Sequence, residues 1–247
     1  MFRTLLRRTI YKKKGNLISL DDPFDAMREL LSTKTVQHFV DAGASDGRVA
    51  EKLMRRFPNA HAHAFEPNPG YRAALEAFAA RDPRFHPVFS ALSDTAGEVE
   101  LNFAASPGNT SLFKPARHLQ DYSPAGARIE KTARVPVTTL DAWAEQAVPQ
   151  NEKVQFLKFD IQGGELHALK GATKLLREHV LLIYSEVLFN PLYEQGAIFS
   201  DVDQYLRGYG FELYNFYGPK SNPRDLLLWA NAIFVHPGKL GLGNRQS

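Results

Sequence analysis

The 247-residue chain contains no cysteine. That excludes disulfides, zinc–thiolate sites and thiol catalysis, and it fits a reducing compartment, so a cytoplasmic setting is the expectation. No run of about 18 apolar residues occurs, so no membrane-spanning helix is predicted. A large excess of one charge sign is also missing: 30 Lys and Arg against 27 Asp and Glu leave a formal net charge of only +3. That is too little to imply a nucleic-acid partner. The glycines of a dinucleotide site are absent too. A G-x-G-x-x-G loop lets the backbone touch a pyrophosphate. Here the loop reads Gly43-Ala44-Ser45-Asp46-Gly47-Arg48, with Ser45 and Arg48 in place of the second and third glycines. An NAD-dependent dehydrogenase is disfavoured accordingly.

What is present is an apolar strand running into a loop of small residues, Phe39-Val40-Asp41-Ala42-Gly43-Ala44-Ser45-Asp46-Gly47. A second strand then ends in a lone acid, Ala64-Phe65-Glu66-Pro67. Small residues allow close approach of backbone to ligand, and an acid at that offset suits a ribose diol. Asp41 and Asp46 put carboxylates where phosphates would sit, which repels anions and favours a cation. S-adenosylmethionine has the ribose, a sulfonium and an ammonium, and no phosphate. The alternative is an ordinary strand-to-helix turn with Asp46 as helix cap.

With 44% hydrophobic residues the chain can bury a proper core. Periodicity predicts a helix over 22–32, strands over 36–40, 61–65 and 85–89, and helices between them, the order of a parallel α/β sheet. Strands over 99–103 and 133–137 flank a Pro-, Gly-, Ser- and Asn-rich excursion from 105 to about 126. A strand over 154–159, a helix over 164–177 and a strand over 180–187 follow. A capping box of Ser200 and Asp203 opens a helix to Arg207, and strands over 211–216 and 230–235 complete the order. The chain reads as one domain over 21–247 behind a basic arm over 1–20, which carries Arg3, Arg7, Arg8, Lys12, Lys13 and Lys14 and no acid. A solvated terminus accounts for that arm; a transit peptide and peripheral contact with acidic lipid or glycolipid are the alternatives.

Several ordered blocks together resemble the FkbM-type family of S-adenosylmethionine-dependent methyltransferases. They are residues 39–47, Ala64-Phe65-Glu66-Pro67, Ala91-Leu92-Ser93-Asp94 with Gly97, and Val137-Thr138-Thr139-Leu140-Asp141. Then come Leu157-Lys158-Phe159-Asp160-Ile161-Gln162-Gly163-Gly164-Glu165, Ser185-Glu186-Val187 and Gly210-Phe211. The resemblance implies a class I methyltransferase fold: a Rossmann-like three-layer α/β sandwich with a mostly parallel seven-stranded sheet and an antiparallel last strand. The two excursion strands would form an added hairpin. It also implies O-methylation with S-adenosylmethionine as cofactor, the acceptor being a sugar hydroxyl of a glycan, glycolipid or natural product.

On this reading the cofactor lies across Asp41, Gly43, Ala44, Ser45, Glu66, Pro67 and Asp160. Glu66 would take the ribose, and Asp41 and Gly43 the methionine portion. The resemblance adds Ser93 and Asp94 near the adenine, with Leu92 as an apolar face. Asp160 ends a strand placed beside the first one. It is the best candidate for general base, or for a group that orients the hydroxyl. Glu165 is a second catalytic candidate, or an acid favoured by the first turn of a helix. Asn109, Thr110, Ser111 and Glu186 are candidates for the acceptor side, or turn formers and a solvated strand end. Tyr193 would stack on a ligand or pack in the core. His61 and His63 share a strand face, but no third metal ligand is evident, and structural histidines are expected. Two other functions stay open: a catalytically silent cofactor-binding protein of this fold, and a serine hydrolase. The second rests on Gly43-Ala44-Ser45-Asp46-Gly47, which matches G-x-S-x-G, with Asp160 and His179 or His236 completing a triad order.

Overall fold

The computed structural model describes residues 22–242; the expected basic arm at 1–20 lies outside them. The chain runs α1 (Pro23–Leu30), β1 (His38–Ala42), α2 (Arg48–Arg56), β2 (His61–Phe65), α3 (Arg72–Ala79) and β3 (Phe85–Val88). Next come β4 (Ala91–Leu92), β5 (Gly97–Ala104), α4 (Arg117–Tyr122), α5 (Pro124–Ala127), β6 (Ile129–Thr138) and α6 (Leu140–Ala147). The last part holds β7 (Val154–Phe159), α7 (Glu165–Lys170), α8 (Thr173–Glu178), β8 (Leu182–Leu188), α9 (Phe199–Arg207), β9 (Glu212–Ser221), β10 (Leu227–Val235) and α10 (Pro237–Leu240).

A seven-stranded sheet has the order β3-β2-β1-β7-β8-β10-β9. β10 is antiparallel to both its neighbours, and the pairs on the β3 side of β8 are parallel. Strand alternation divides the core. Phe39, Phe156 and Leu182 face a cluster with Met27, Leu53 and Leu75, whereas Val40, Leu157 and Ile183 face one with Leu140, Leu169 and Leu206. Helices therefore cover both faces, and every residue of β1 and β7 is buried, as in a sheet sandwiched between helical layers. The strand order reverses between β1 and β7, which opens a crevice beyond their carboxyl ends.

The expected hairpin is one part of a three-stranded sheet, β4-β6-β5. β5 and β6 pair antiparallel and run past the predicted ends, and the short β4 adds on parallel to β6. The excursion between β5 and β6 is not bare loop, since it contains α4 and α5. It docks on the segment after β8, where Ala116 N–H donates to Leu192 O (2.8 Å) and Glu194 N–H to Lys114 O (2.8 Å).

The helix expected over 164–177 is broken into α7 and α8. Gly171 lies so close to the Ser93 carbonyl that a Cβ would sit 2.2 Å from its oxygen. The Asp141 carboxylate then opens α8, accepting from Lys174 N (2.9 Å), Leu175 N (3.0 Å) and Thr173 Oγ1 (3.1 Å). The N–H groups of Lys174 and Leu175 are ones that a new helix start would otherwise leave unpaired. The opening of α9 also differs: Asp201, not Asp203, accepts the N–H of its cap residue Ile198 (3.1 Å).

Candidate active site

The crevice forms a cleft open to solvent, enclosing about 840 Å³ when the solvent-open space within it is counted. Its floor is the loop after β1. Gly43, Ser45 and Gly47 have φ of 74°, 53° and 82°, so the chain turns sharply before α2. A Cβ on Gly43 would lie 1.9 Å from the Asp160 carbonyl oxygen, so only glycine lets the β1 and β7 ends approach this closely.

Glu66 ties this loop to the next. Its Oε2 accepts Ser45 N–H and its Oε1 accepts Asn68 N–H, both at 2.8 Å. Burial raises its pKa, against the lowering effect of those two donors. Each carboxylate oxygen keeps a further lone pair for a ligand hydroxyl.

Of the residues expected to hold the cofactor, Gly43, Ser45, Glu66, Pro67, Leu92 and Asp160 line the cavity. Asp41, Ala44, Ser93 and Asp94 do not. Asp41 is fully buried and faces Lys158, whose Nζ is 2.8 Å from its Oδ1. The same Nζ donates to Ala42 O (3.2 Å) and Gly43 O (3.1 Å). Asp41 thus anchors the floor from beneath and is not a wall of the cavity. Ala44 packs in the core beside Phe39 and Leu53. Ser93 N–H is taken by Thr138 O (3.1 Å), and Asp94 is exposed. Asn68, Tyr71 and Ser90 line the cavity instead. Asn68 offered a faint signal, since its side chain caps the turn at Pro69 by accepting Gly70 N–H (2.9 Å).

On the opposite side Asp160 is exposed into the cavity with Gln162, Thr110 and Ser111. Glu165 does not line it. Its Oε1 accepts Ile161 N–H (3.0 Å), and burial pushes its pKa up to about 7. Glu186 and Asn109 stand behind the wall and reach the cavity through Gln162. Gln162 Nε2 donates to Asp160 Oδ1 (2.7 Å) and Glu186 Oε2 (3.2 Å). Tyr193 is 1% exposed and donates its hydroxyl to Gln162 Oε1 (2.5 Å), so it is both core residue and part of the site's support. Sequence reasoning gave Gln162 no role. Its signal was the pair of glycines behind it, because Gln162 itself has φ 55° and Gly163 has φ 96°.

The charged groups lining the cleft are the acids Glu66 and Asp160, and the nearby cation Lys158 is taken up by its contact with Asp41. Such a field favours a positively charged ligand. The hydrolase reading fails on topology. Ser45 follows the carboxyl end of β1, whereas His179 precedes β8 and His236 follows β10, whose Val235 is paired with Leu182 at the start of β8. Both imidazoles are therefore at the other end of the sheet. His61 and His63 are accounted for by imidazole pairs, His61 Nδ1 with His86 Nε2 (2.9 Å) and His38 Nδ1 with His63 Nε2 (3.0 Å). Burial, then His86, lowers the His63 pKa to about 3.

The sheet order, the antiparallel last strand and the cleft at the strand ends define a class I methyltransferase fold. The Methyltransferase FkbM domain matches residues 41–213, and the chain belongs to that family of S-adenosylmethionine-dependent methyltransferases. It is similar to the 2-O-methyltransferase NoeI of Sinorhizobium fredii (strain NBRC 101917 / NGR234), 26% identical over 209 residues, covering 74% of this chain and 83% of that protein. It is also similar to the methyltransferase sdnD of Sordaria araneosa, 27% identical over 194 residues, covering 70% and 73%. A solved rRNA methylase from Streptococcus thermophilus aligns over 88% of this chain and 98% of its own, with 10% identity and a TM-score of 0.47. Among the described residues no helix is long and apolar enough to cross a membrane.

Proposed function

We propose that the chain is an O-methyltransferase whose acceptor is a small-molecule or glycan hydroxyl, a sugar being the favoured class. The carrying observation is the placement of Asp160, a cavity-facing carboxylate at the end of β7 opposite the Glu66 loop. A relative named as a 2-O-methyltransferase supports oxygen as the methylated atom. The small hydroxyls of Thr110 and Ser111 on the same wall suit a polyol.

The residues present fit S-adenosylmethionine. Glu66 has lone pairs free for a ribose diol, Gly43 leaves room where any Cβ would collide, and the field is acidic. When bound, that cofactor supplies an electrophilic methyl group on a good leaving group. The protein's task is then alignment and proton removal. Positioning of the two reactants contributes up to about 7 kcal/mol or more in ideal cases. A placed base adds roughly 10²–10⁴-fold. Glu66, Pro67, Tyr71 and Leu92 would hold the nucleoside end, and Ser45 and Gly43 the methionine end. Asp160 would accept the acceptor's hydroxyl proton, with Thr110 and Ser111 orienting the neighbouring groups.

The test supplies S-adenosylmethionine carrying a labelled methyl group and a panel of free glycosides, and locates the label by mass spectrometry. Label on an ether oxygen, lost in Asp160→Asn with cofactor affinity retained in calorimetry, supports the assignment. Label on nitrogen or carbon, or undiminished turnover in Asp160→Asn, overturns it.

A further inference from the structure

The side chain of Gln162 makes contacts that a loop residue does not need for its own stability. Its backbone is in the left-handed region, at φ 55°, a conformation that costs a non-glycine residue free energy. Backbone supports hold the loop independently of the amide: Ser111 Oγ donates to Gln162 O (2.7 Å), and Ile161 N–H donates to Glu165 Oε1 (3.0 Å). The amide is then left to span Asp160 and Glu186 with its two N–H groups, while its oxygen accepts from Tyr193 OH (2.5 Å) and Asn109 Nδ2 (3.5 Å). The reverse orientation would set the amide oxygen against two carboxyl oxygens, so the contacts fix which way it points.

We propose that Gln162 is a positioning residue: its amide clamps the Asp160 and Glu186 carboxyl groups side by side, and Tyr193 with Asn109 locks the amide from behind. This rests on Asp160 as the proton acceptor of the proposed function. Two carboxyl groups sharing one N–H₂ donor repel each other when both are ionised. Burial raises Glu186 well above the ordinary range, and Asp160 and Glu165 raise it further; Lys158 and the Gln162 amide oppose them. The charged and titratable groups facing the pair are Glu165 from α7, Lys158 from β7, Asp41 from β1, Tyr184 from β8 and Tyr193 from the segment after β8. A proton held on Glu186 leaves the exposed Asp160 carboxylate free to receive the acceptor's proton. Asn109 lies on the excursion between β5 and β6, so the amide also links that excursion to the carboxyl pair.

The test titrates the full chain, labelled with carboxyl-¹³C aspartate and glutamate, by NMR as wild type, Gln162→Ala, Gln162→Glu and Ser111→Ala. In Gln162→Ala the midpoint of the assigned Glu186 signal should rise by about one pH unit, a tenfold change in ionisation constant, because a donor to the ionised form is lost. Gln162→Glu should raise it further by adding a third acid. Ser111→Ala, which weakens the loop but keeps the amide, should leave it in place. Calorimetry with S-adenosylmethionine should show affinities within about threefold for Gln162→Ala, which excludes a collapsed loop as the cause. Superimposed titrations of wild type and Gln162→Ala, or an equal shift in Ser111→Ala, would overturn the proposal. The titration needs no acceptor, so a protein whose Glu186 titration depends on Gln162 but which methylates no oxygen would sink the proposed function and leave the clamp standing.

Discussion

Lys158 holds its ammonium 2.8 Å from the fully buried carboxylate of Asp41, which is its register partner on the adjacent central strand. Each charge has been removed from water, so neither is stable without the other. Lys158 also carries the carbonyls of Ala42 and Gly43, so the pair fixes the floor of the cleft.

Lys158→Met should therefore cost roughly 3–5 kcal/mol, the penalty of leaving a buried charge alone. Adding Asp41→Asn should recover a large part of it, because the double variant buries no charge. Chemical denaturation of the two single variants and the double variant gives the coupling directly. Additive losses would show that the ion pair does not hold the strands.

Glu66→Ala removes the acceptor for two loop N–H groups together with the site for the ribose. Loss of charge-assisted bonds of this kind should weaken S-adenosylmethionine binding by about 10- to 100-fold in calorimetry. NAD should gain no affinity in the same variant.

A methyl group on Gly43 meets a backbone carbonyl, and the residue would keep a φ of 74°. Gly43→Ala should cost more than about 2 kcal/mol. Gly108 has open space where its Cβ would be and no positive φ, so Gly108→Ala should be close to neutral by the same thermal-unfolding measurement. Equal effects would mean that the contact between the β1 and β7 ends is not tight.

Glu165 has a folded pKa of about 7 against an ordinary 4.5, raised by burial. Between these values the native state keeps a proton that the unfolded state has lost. Its contribution to stability therefore falls as pH rises from about 4.5 to about 7. His63 acts in the opposite sense: held neutral down to about pH 3, it contributes stability that is lost as pH falls from 6.5. The wild-type profile mixes the two, so the informative quantity is the difference between Glu165→Gln and wild type. That difference should move in favour of the variant by roughly 3 kcal/mol between about pH 4 and about pH 8. A difference independent of pH would place no ionisation at Glu165 in that window.

Much of the sheet was legible because its signals are local. The strands 36–40 and 154–159 are rich in Val, Leu and Phe, and the turn after β1 announces itself by small residues. The break between α7 and α8 was not legible, because it depends on Ser93 pressing on Gly171 and on Asp141 capping α8 from another helix. α4 and α5 were hidden for a similar reason: they are short helices, stabilised by docking onto the segment after β8 and not by an apolar stripe of their own.

The candidate site divides along the same line. Glu66 could be found because a strand end followed by proline places an acid locally. Asp41 looked equally suited, yet its direction was set by Lys158, more than a hundred positions away in the chain and adjacent only in the sheet. Gln162 gave no periodic or charge signal, and its partners come from the excursion, β8 and the segment beyond it.

By itself the sequence determined the order of the main-sheet strands and of the helices with an apolar stripe, the cleft loop and the family blocks, since each is written in neighbouring residues. Only the tertiary structure decided which acids face the cavity and which are buried supports. That choice depends on the partner each carboxyl group meets across strands, and burial without a partner is too costly for a charge to leave the matter open.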